Sequence, residues 1–194
     1  MRRLLTSIAF SAAIAAPVAA QGHDTFEIDP SIGAYLPTGH MYRDNQQTWS
    51  ESNALLYGVH LGFGALNRVS LELTLDAGSS PIRIQDTGQP DETFPARMLI
   101  MGIRLRYNAR TGSVTTPYVT AGAAYVNPTG DVTVGTHASG WAASLGVGLR
   151  VVTTGHLVGR LEFSDYHYHR KLFGGPTSQG NDDLLLSVGV GLMP

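Results

Sequence analysis

From Val69 to Ala77 the chain alternates without a break: Val69, Leu71, Leu73, Leu75 and Ala77 are apolar, and Ser70, Glu72, Thr74 and Asp76 between them are polar or charged. A two-residue period places successive side chains on opposite faces, so the stretch predicts a strand with two unlike faces. Other stretches repeat the pattern, with polar faces of Gly, Ser, Arg and carboxylates where a water-facing sheet usually shows lysine. Of the 13 basic residues only Lys171 is lysine. Arginine is preferred where a cation must be desolvated and bidentately paired. The pattern therefore predicts an all-β chain closed into a barrel, with its apolar face toward lipid and its polar face toward a lumen.

No stretch after residue 20 reaches the roughly 18 apolar residues of a spanning helix, which excludes a helical membrane protein. The 23 glycines, most within or beside alternating segments, favour strands over helices. Cysteine is absent, which removes disulfides, thiol nucleophiles and thiolate metal sites. A formal charge of −2 with no basic stripe gives no electrostatic case for nucleic acid. Residues 1–20 read as a secretory signal peptide: Arg2-Arg3, an apolar run from Leu4 to Ala16, then Pro17-Val18-Ala19-Ala20. An amphipathic first helix would need a polar face that this segment lacks. The barrel domain is expected over 21–194.

Eight strands are expected, over Thr25–Leu36, Leu55–Ala65, Val69–Ala77, Arg97–Tyr107, Pro117–Val126, Trp141–Val151, Leu157–Tyr166 and Leu184–Met193. Pro30 cannot donate to a ladder and predicts a local irregularity in the first. Connections alternate: loops of roughly fifteen residues follow the odd strands and short turns the even ones, as in antiparallel up-and-down transmembrane barrels with short periplasmic turns and long extracellular loops. Aromatic girdles are expected from Phe26, Phe63, Tyr107 and Tyr118 at the short-turn rim, and from Tyr35, Tyr57, Tyr125, Trp141 and Tyr166 at the long-loop rim.

The inward faces balance in charge. Glu27, Asp29, Glu72, Asp76 and Glu162 stand against Arg104, Arg106, Arg150 and Arg160, with His60 a further candidate cation. An eight-stranded barrel has an interior just wide enough for side chains to fill, so these groups are expected to pair and close the lumen. Inward glycines at 58, 62, 64, 146, 148, 189 and 191 are expected to make room for the long arginines. The rival is a soluble lipocalin-like carrier whose apolar face lines a ligand cavity. Its outer surface would then be glycine-rich and nearly free of lysine, a poor design for solubility.

The signal peptide, the alternating strands, the Gly-x-Gly strands and Asp29-Pro30-Ser31-Ile32-Gly33-Ala34-Tyr35-Leu36-Pro37-Thr38-Gly39 together resemble the bacterial outer-membrane β-barrel proteins similar to the OmpA transmembrane domain. The resemblance implies an outer-membrane location, membrane lipid as surroundings, and insertion by the barrel-assembly machinery. It departs at the end: that family often finishes on an aromatic residue, whereas this chain finishes Gly191-Leu192-Met193-Pro194. No peptidoglycan-binding domain is expected.

The densest polar cluster is Glu162-Phe163-Ser164-Asp165-Tyr166-His167-Tyr168-His169. Outer-membrane lipid A deacylases, similar in fold, present a Ser and a His in His-x-Ser order toward lipid. Here Ser164 and His167 are three apart and fall on opposite faces, which argues against nucleophilic catalysis. His167 and His169 share a face and could bind a metal only with a third ligand such as His40 or His137. The Gly-x-Gly pairs lack the following helix of a dinucleotide fingerprint. The expectation is no catalytic residue, no metal and no cofactor. The expected protein is a monomeric barrel with a structural or adhesive role, carried by an extracellular ligand bound through its loops.

Overall fold

The computed structural model describes residues 26–43, 47–66, 68–110, 113–130, 139–154, 156–170 and 179–193. The expected signal peptide lies outside them. The described residues form twelve strands: β1 (Phe26–Pro37), β2 (Tyr42–Arg43), β3 (Gln47–Glu51), β4 (Ala54–Leu66), β5 (Val69–Ser79), β6 (Ile82–Asp86), β7 (Glu92–Phe94), β8 (Ala96–Asn108), β9 (Thr115–Gly130), β10 (Gly140–Thr154), β11 (Leu157–Arg170) and β12 (Gln179–Leu192). The eight long ones close into an antiparallel barrel in the order β1-β12-β11-β10-β9-β8-β5-β4.

Hydrogen-bonded partners can be followed once round the wall, from Phe26 through Phe63, Leu71, Leu105, Ala121, Leu145, Asp165 and Leu184. The path returns to β1 at Leu36, ten residues beyond its start. Ten residues of offset over eight strands tilt the strands by roughly 40°, within the range of transmembrane barrels. Along each strand the parity read from sequence holds. Leu105, Leu145 and Val190 are 55%, 61% and 56% exposed on the outer wall, while Glu72 and Glu162 are 0% and 1% exposed inside. That distribution overturns the carrier alternative, in which the aliphatics would line the cavity.

Several strands run further than their apolar alternation. β9 continues through Asn127, Pro128, Thr129 and Gly130, which were expected to open a loop. β11 extends to Arg170 and β12 begins at Gln179, so Tyr168–Arg170 and Gln179–Asp183 are ladder and not loop. Above the membrane the outer wall meets water instead of lipid, so the apolar outer face lapses, while the inner face stays buried at Tyr168, Asn181 and Asp183 and the backbone groups still gain from pairing.

A second sheet, β2-β3-β6-β7, joins the first two extracellular connections, which sequence had marked as solvated loops. Trp49 faces Ile84 and Glu51 faces Ile82 across β3 and β6. Met41, Ile82 and Ala96 are buried between the sheet and the barrel top, with Trp49 and Ile84 packed on them. The sheet is anchored at its base: the Ser52 N–H donates to the Pro81 carbonyl at 2.9 Å, the Ser80 N–H to the Ala96 carbonyl at 3.0 Å, and the Ser80 hydroxyl to the Ser52 carbonyl at 2.9 Å. Gly88, at φ 85°, makes the turn between β6 and β7, with the Gln89 N–H returning to the Asp86 carbonyl at 3.1 Å. Ile82 is fully buried. Replacing it with Ser is expected to open the sheet to limited proteolysis while the barrel keeps its heat-modifiable gel mobility; equal loss of both would mean that the sheet and barrel fold as one unit.

Candidate functional site

The lumen has two storeys. In the lower one, register sets Glu72 on β5 directly opposite Arg104 on β8. Arg104 Nη2 lies 2.5 Å from Glu72 Oε1, and its Nη1 lies 2.6 Å from Glu162 Oε1. Arg160, from the opposite wall, spans the lumen to Glu72 Oε1 at 2.8 Å and also contacts Glu162 on its own strand. Arg106 reaches Glu27 at 3.1 Å and Glu72 at 3.4 Å, while Arg150 reaches Glu27 at 3.1 Å. Asp29 meets Arg160 at 3.4 Å. His60 stands 3.3 Å from Asp76 and 3.9 Å from Glu72.

All ten of the residues picked out by charge thus lie in one lumenal assembly, centred on Glu72 with three arginines around it. Charges removed from water this far are tolerable only when paired and hydrogen-bonded.

Charge counting missed Tyr118. Its hydroxyl donates to Glu162 Oε2 at 2.8 Å and accepts from Arg160 Nε at 2.7 Å, and its ring lies 5.0 Å from the Arg160 guanidinium carbon. It was expected in the periplasmic-side girdle. Its parity gives it away, because it alternates with the outward Val119 and shares a face with Thr120.

The upper storey is apolar and aromatic: Leu56, Met98, Ile100, Val126, Tyr166 and Leu185 are buried in one cluster that also contains Tyr35 and Tyr168. The Tyr168 hydroxyl donates to Asp183, and the Tyr35 hydroxyl lies between Asp183 and Glu51, 2.9 Å from the latter, which links this layer to the extracellular sheet. Tyr35 and Tyr166 therefore face the lumen and leave the expected upper girdle. The exposed outward aromatics among the described residues are Tyr57, Tyr107, Trp141 and Phe163, with Trp141 edge-on to Tyr125 at 5.5 Å and Phe26 beside Phe63 at 5.3 Å.

The glycine expectation needs a similar correction. Gly62 does face Arg106, whose Nη2 lies 3.4 Å from where a Cβ would be. The space over Gly58, Gly148 and Gly189 is taken instead by Asp76 and Ser31, by Tyr118, and by Asp29.

Ser164 is buried in the lumen, donating to Glu162 at 2.6 Å and accepting from Arg104 at 3.2 Å. His167 is on the outer rim beside Asp182, with its ring 5.5 Å from that of His169. The wall separates the serine from the histidine. Among the described residues no three His, Asp or Glu side chains are grouped for a metal, and His137 lies outside them.

Residues 6–193 match the family model described as an outer membrane protein beta-barrel domain. The chain belongs to this family. No curated protein sequence matches it. Among solved structures it is similar to the outer membrane protein OprG from Pseudomonas aeruginosa, with TM-score 0.70 at 13% identity over 88% of this chain and 97% of that one. Neisserial surface protein A gives TM-score 0.64 at 12% identity, over 90% of this chain and 100% of that one. Outer membrane protein AlkL, solved in lipid bilayers, gives TM-score 0.52 at 14% identity, over 91% of this chain and 93% of that one. Family and fold together place this barrel in the outer membrane.

Proposed function

We propose that this protein is a closed-lumen outer-membrane barrel, monomeric and without catalytic activity, that serves as a structural and surface-binding scaffold through its extracellular side. The observation that carries the reading is the welding of two extracellular connections into a sheet held to the barrel top by Ser52, Ser80 and the Tyr35–Glu51 contact. A rigid surface on a rigid scaffold is where binding residues are positioned to advantage. Closure is supported by side chains at every level of the lumen, salt-bridged below and apolar above. The non-enzymatic reading is supported by the burial of Ser164 on the lumenal side, away from lipid substrates. Insertion passes through the barrel-assembly machinery in this reading.

Two measurements test it. Purified barrel in planar bilayers is expected to give no discrete conductance steps, and stable steps would remove the closed lumen. Replacing residues 82–94 with a short turn is expected to leave a folded, heat-modifiable barrel that no longer supports attachment of cells displaying it; undiminished attachment would remove the role of the sheet.

A further inference from the structure

On the outer wall the paired row Ile103, Ala123, Ala143, His167 and Asp182 crosses the strands from β8 to β12. The ten-residue offset raises every such row toward the extracellular side in that direction, so this one climbs from the lipid-facing band to the rim. Two of its members carry only a methyl group. Trp141 and Leu145 stand exposed on either side of Ala143, roughly 13 Å apart along β10. The result is an open furrow lined by Met101, Ile103, Ala123, Tyr125 and Trp141, whose floor Ala143 continues as far as His167. Below Ala123 the furrow passes over Ala121, between Leu105 and Leu145.

At the upper end of the furrow the apolar band stops one position early. Leu145 on β10 and Leu184 on β12 face lipid, yet the residue paired with both, on β11, is Asp165. Asp165 is outward by parity, next above Phe163, and its Oδ1 is buried with no hydrogen-bond partner among the described residues. One outward position higher, the His167 ring is directed to Asp182. An ionisable group facing lipid is costly and marks a functional site. Asp165 lies at the height of the two leucines and below the rim, where the acyl chains of a lipid begin. The donors a lipid offers at that depth are the amide N–H and hydroxyl groups that join chain to headgroup, and a carboxylate accepts from both.

We propose that this furrow binds an outer-leaflet lipid whose acyl chain is amide-linked. The chain lies over Ala143, Ala123 and Ala121, the linkage N–H donates to Asp165, and the headgroup rests beside His167 and Asp182. Two observations select a lipid over a second copy of this chain. The furrow is continuous with the lipid-facing band, whose Leu105, Leu145 and Val147 are exposed around it. Its upper end also offers a carboxylate acceptor at the depth where an amide-linked lipid carries donors. An ester-linked chain fits the same slot but leaves Asp165 bare, so the discrimination is made at the linkage and not along the chain.

The test is native mass spectrometry of the folded barrel released from nanodiscs made of equal parts sphingomyelin and phosphatidylcholine with matched chains. The two lipids share a phosphocholine headgroup and differ in the amide N–H and hydroxyl of the linkage. Wild-type barrel is expected to retain sphingomyelin over phosphatidylcholine by about tenfold, the ratio for one added hydrogen bond to a charged acceptor. Asp165→Leu is expected to bring that ratio to one. Ala143→Leu, which fills the slot, is expected to lower retention of both lipids, with Ala123→Leu as a second filling variant if the first does not fold. Equal retention by the wild type, or a preference that survives Asp165→Leu, would overturn recognition at the linkage. Retention unchanged by filling would overturn the furrow, and a barrel dimer that filling abolishes would place a second copy there instead of lipid.

Discussion

Glu72→Leu is expected to destabilise the barrel by about 3–5 kcal/mol, the range for removing one partner of a buried ion pair. It would be read as a lower urea midpoint for loss of the compact, heat-modifiable form. Leucine matches the volume but accepts no hydrogen bond, and three guanidinium groups share this carboxylate, from Arg104, Arg106 and Arg160. Glu162 and Glu27 retain contacts to those arginines, but neither can take the central position. Arg104→Leu alone is expected to cost less, because Arg160 still serves both Glu72 and Glu162. The Glu72→Leu, Arg104→Leu double variant removes charge of both signs. It is therefore expected to be more stable than the sum of the single losses predicts. Simple additivity would mean that these pairs do not share their energy, and a wild-type midpoint for Glu72→Leu would sink the account of the lower lumen.

The second large effect is expected at Gly148. A Cβ there would collide with the Tyr118 ring end and lie 2.6 Å from the Leu161 carbonyl oxygen. Tyr118 cannot easily yield, because its hydroxyl is held between Glu162 and Arg160. Gly148→Val is expected to cost about 1–3 kcal/mol by overpacking, and more if the hydroxyl is torn from both partners. Adding Tyr118→Ala opens the space and is expected to restore part of the loss. If the double variant is no more stable than Gly148→Val, the collision is with the backbone and not with the ring.

Much of this architecture is written in period and composition. In Val69–Ala77 a strict alternation fixes which side chains share a face. The scarcity of lysine, with Gly, Ser, Arg and acids on the polar side, identifies that face as a lumen. The same parity argument selects Glu27, Asp29, His60, Glu72, Asp76, Arg104, Arg106, Arg150, Arg160 and Glu162 from one-dimensional information, because every strand obeys a period of two whatever its neighbours do.

The same parity also marks Tyr35, Tyr118 and Tyr166 as lumenal. They were expected in the girdles because aromatic residues near strand ends so often sit at interfaces, and a frequency of that kind carries less weight than the period of the strand that holds the residue.

Tertiary structure alone decided what parity cannot reach. Which arginine meets which acid depends on closure and on the ten-residue offset, which brings Arg160 of β11 across to Glu72 of β5. No local pattern encodes a distance across a lumen. The extracellular sheet was invisible for a related reason. Its strands of two to five residues are too short for a period to register, and Ile82, Trp49 and Met41 gain their burial only when two connections distant in sequence meet. Alternation within a strand is a property of the local backbone, so the sequence carries it. Pairing across the barrel and between loops is a property of where the chain returns, and only the closed fold determines it.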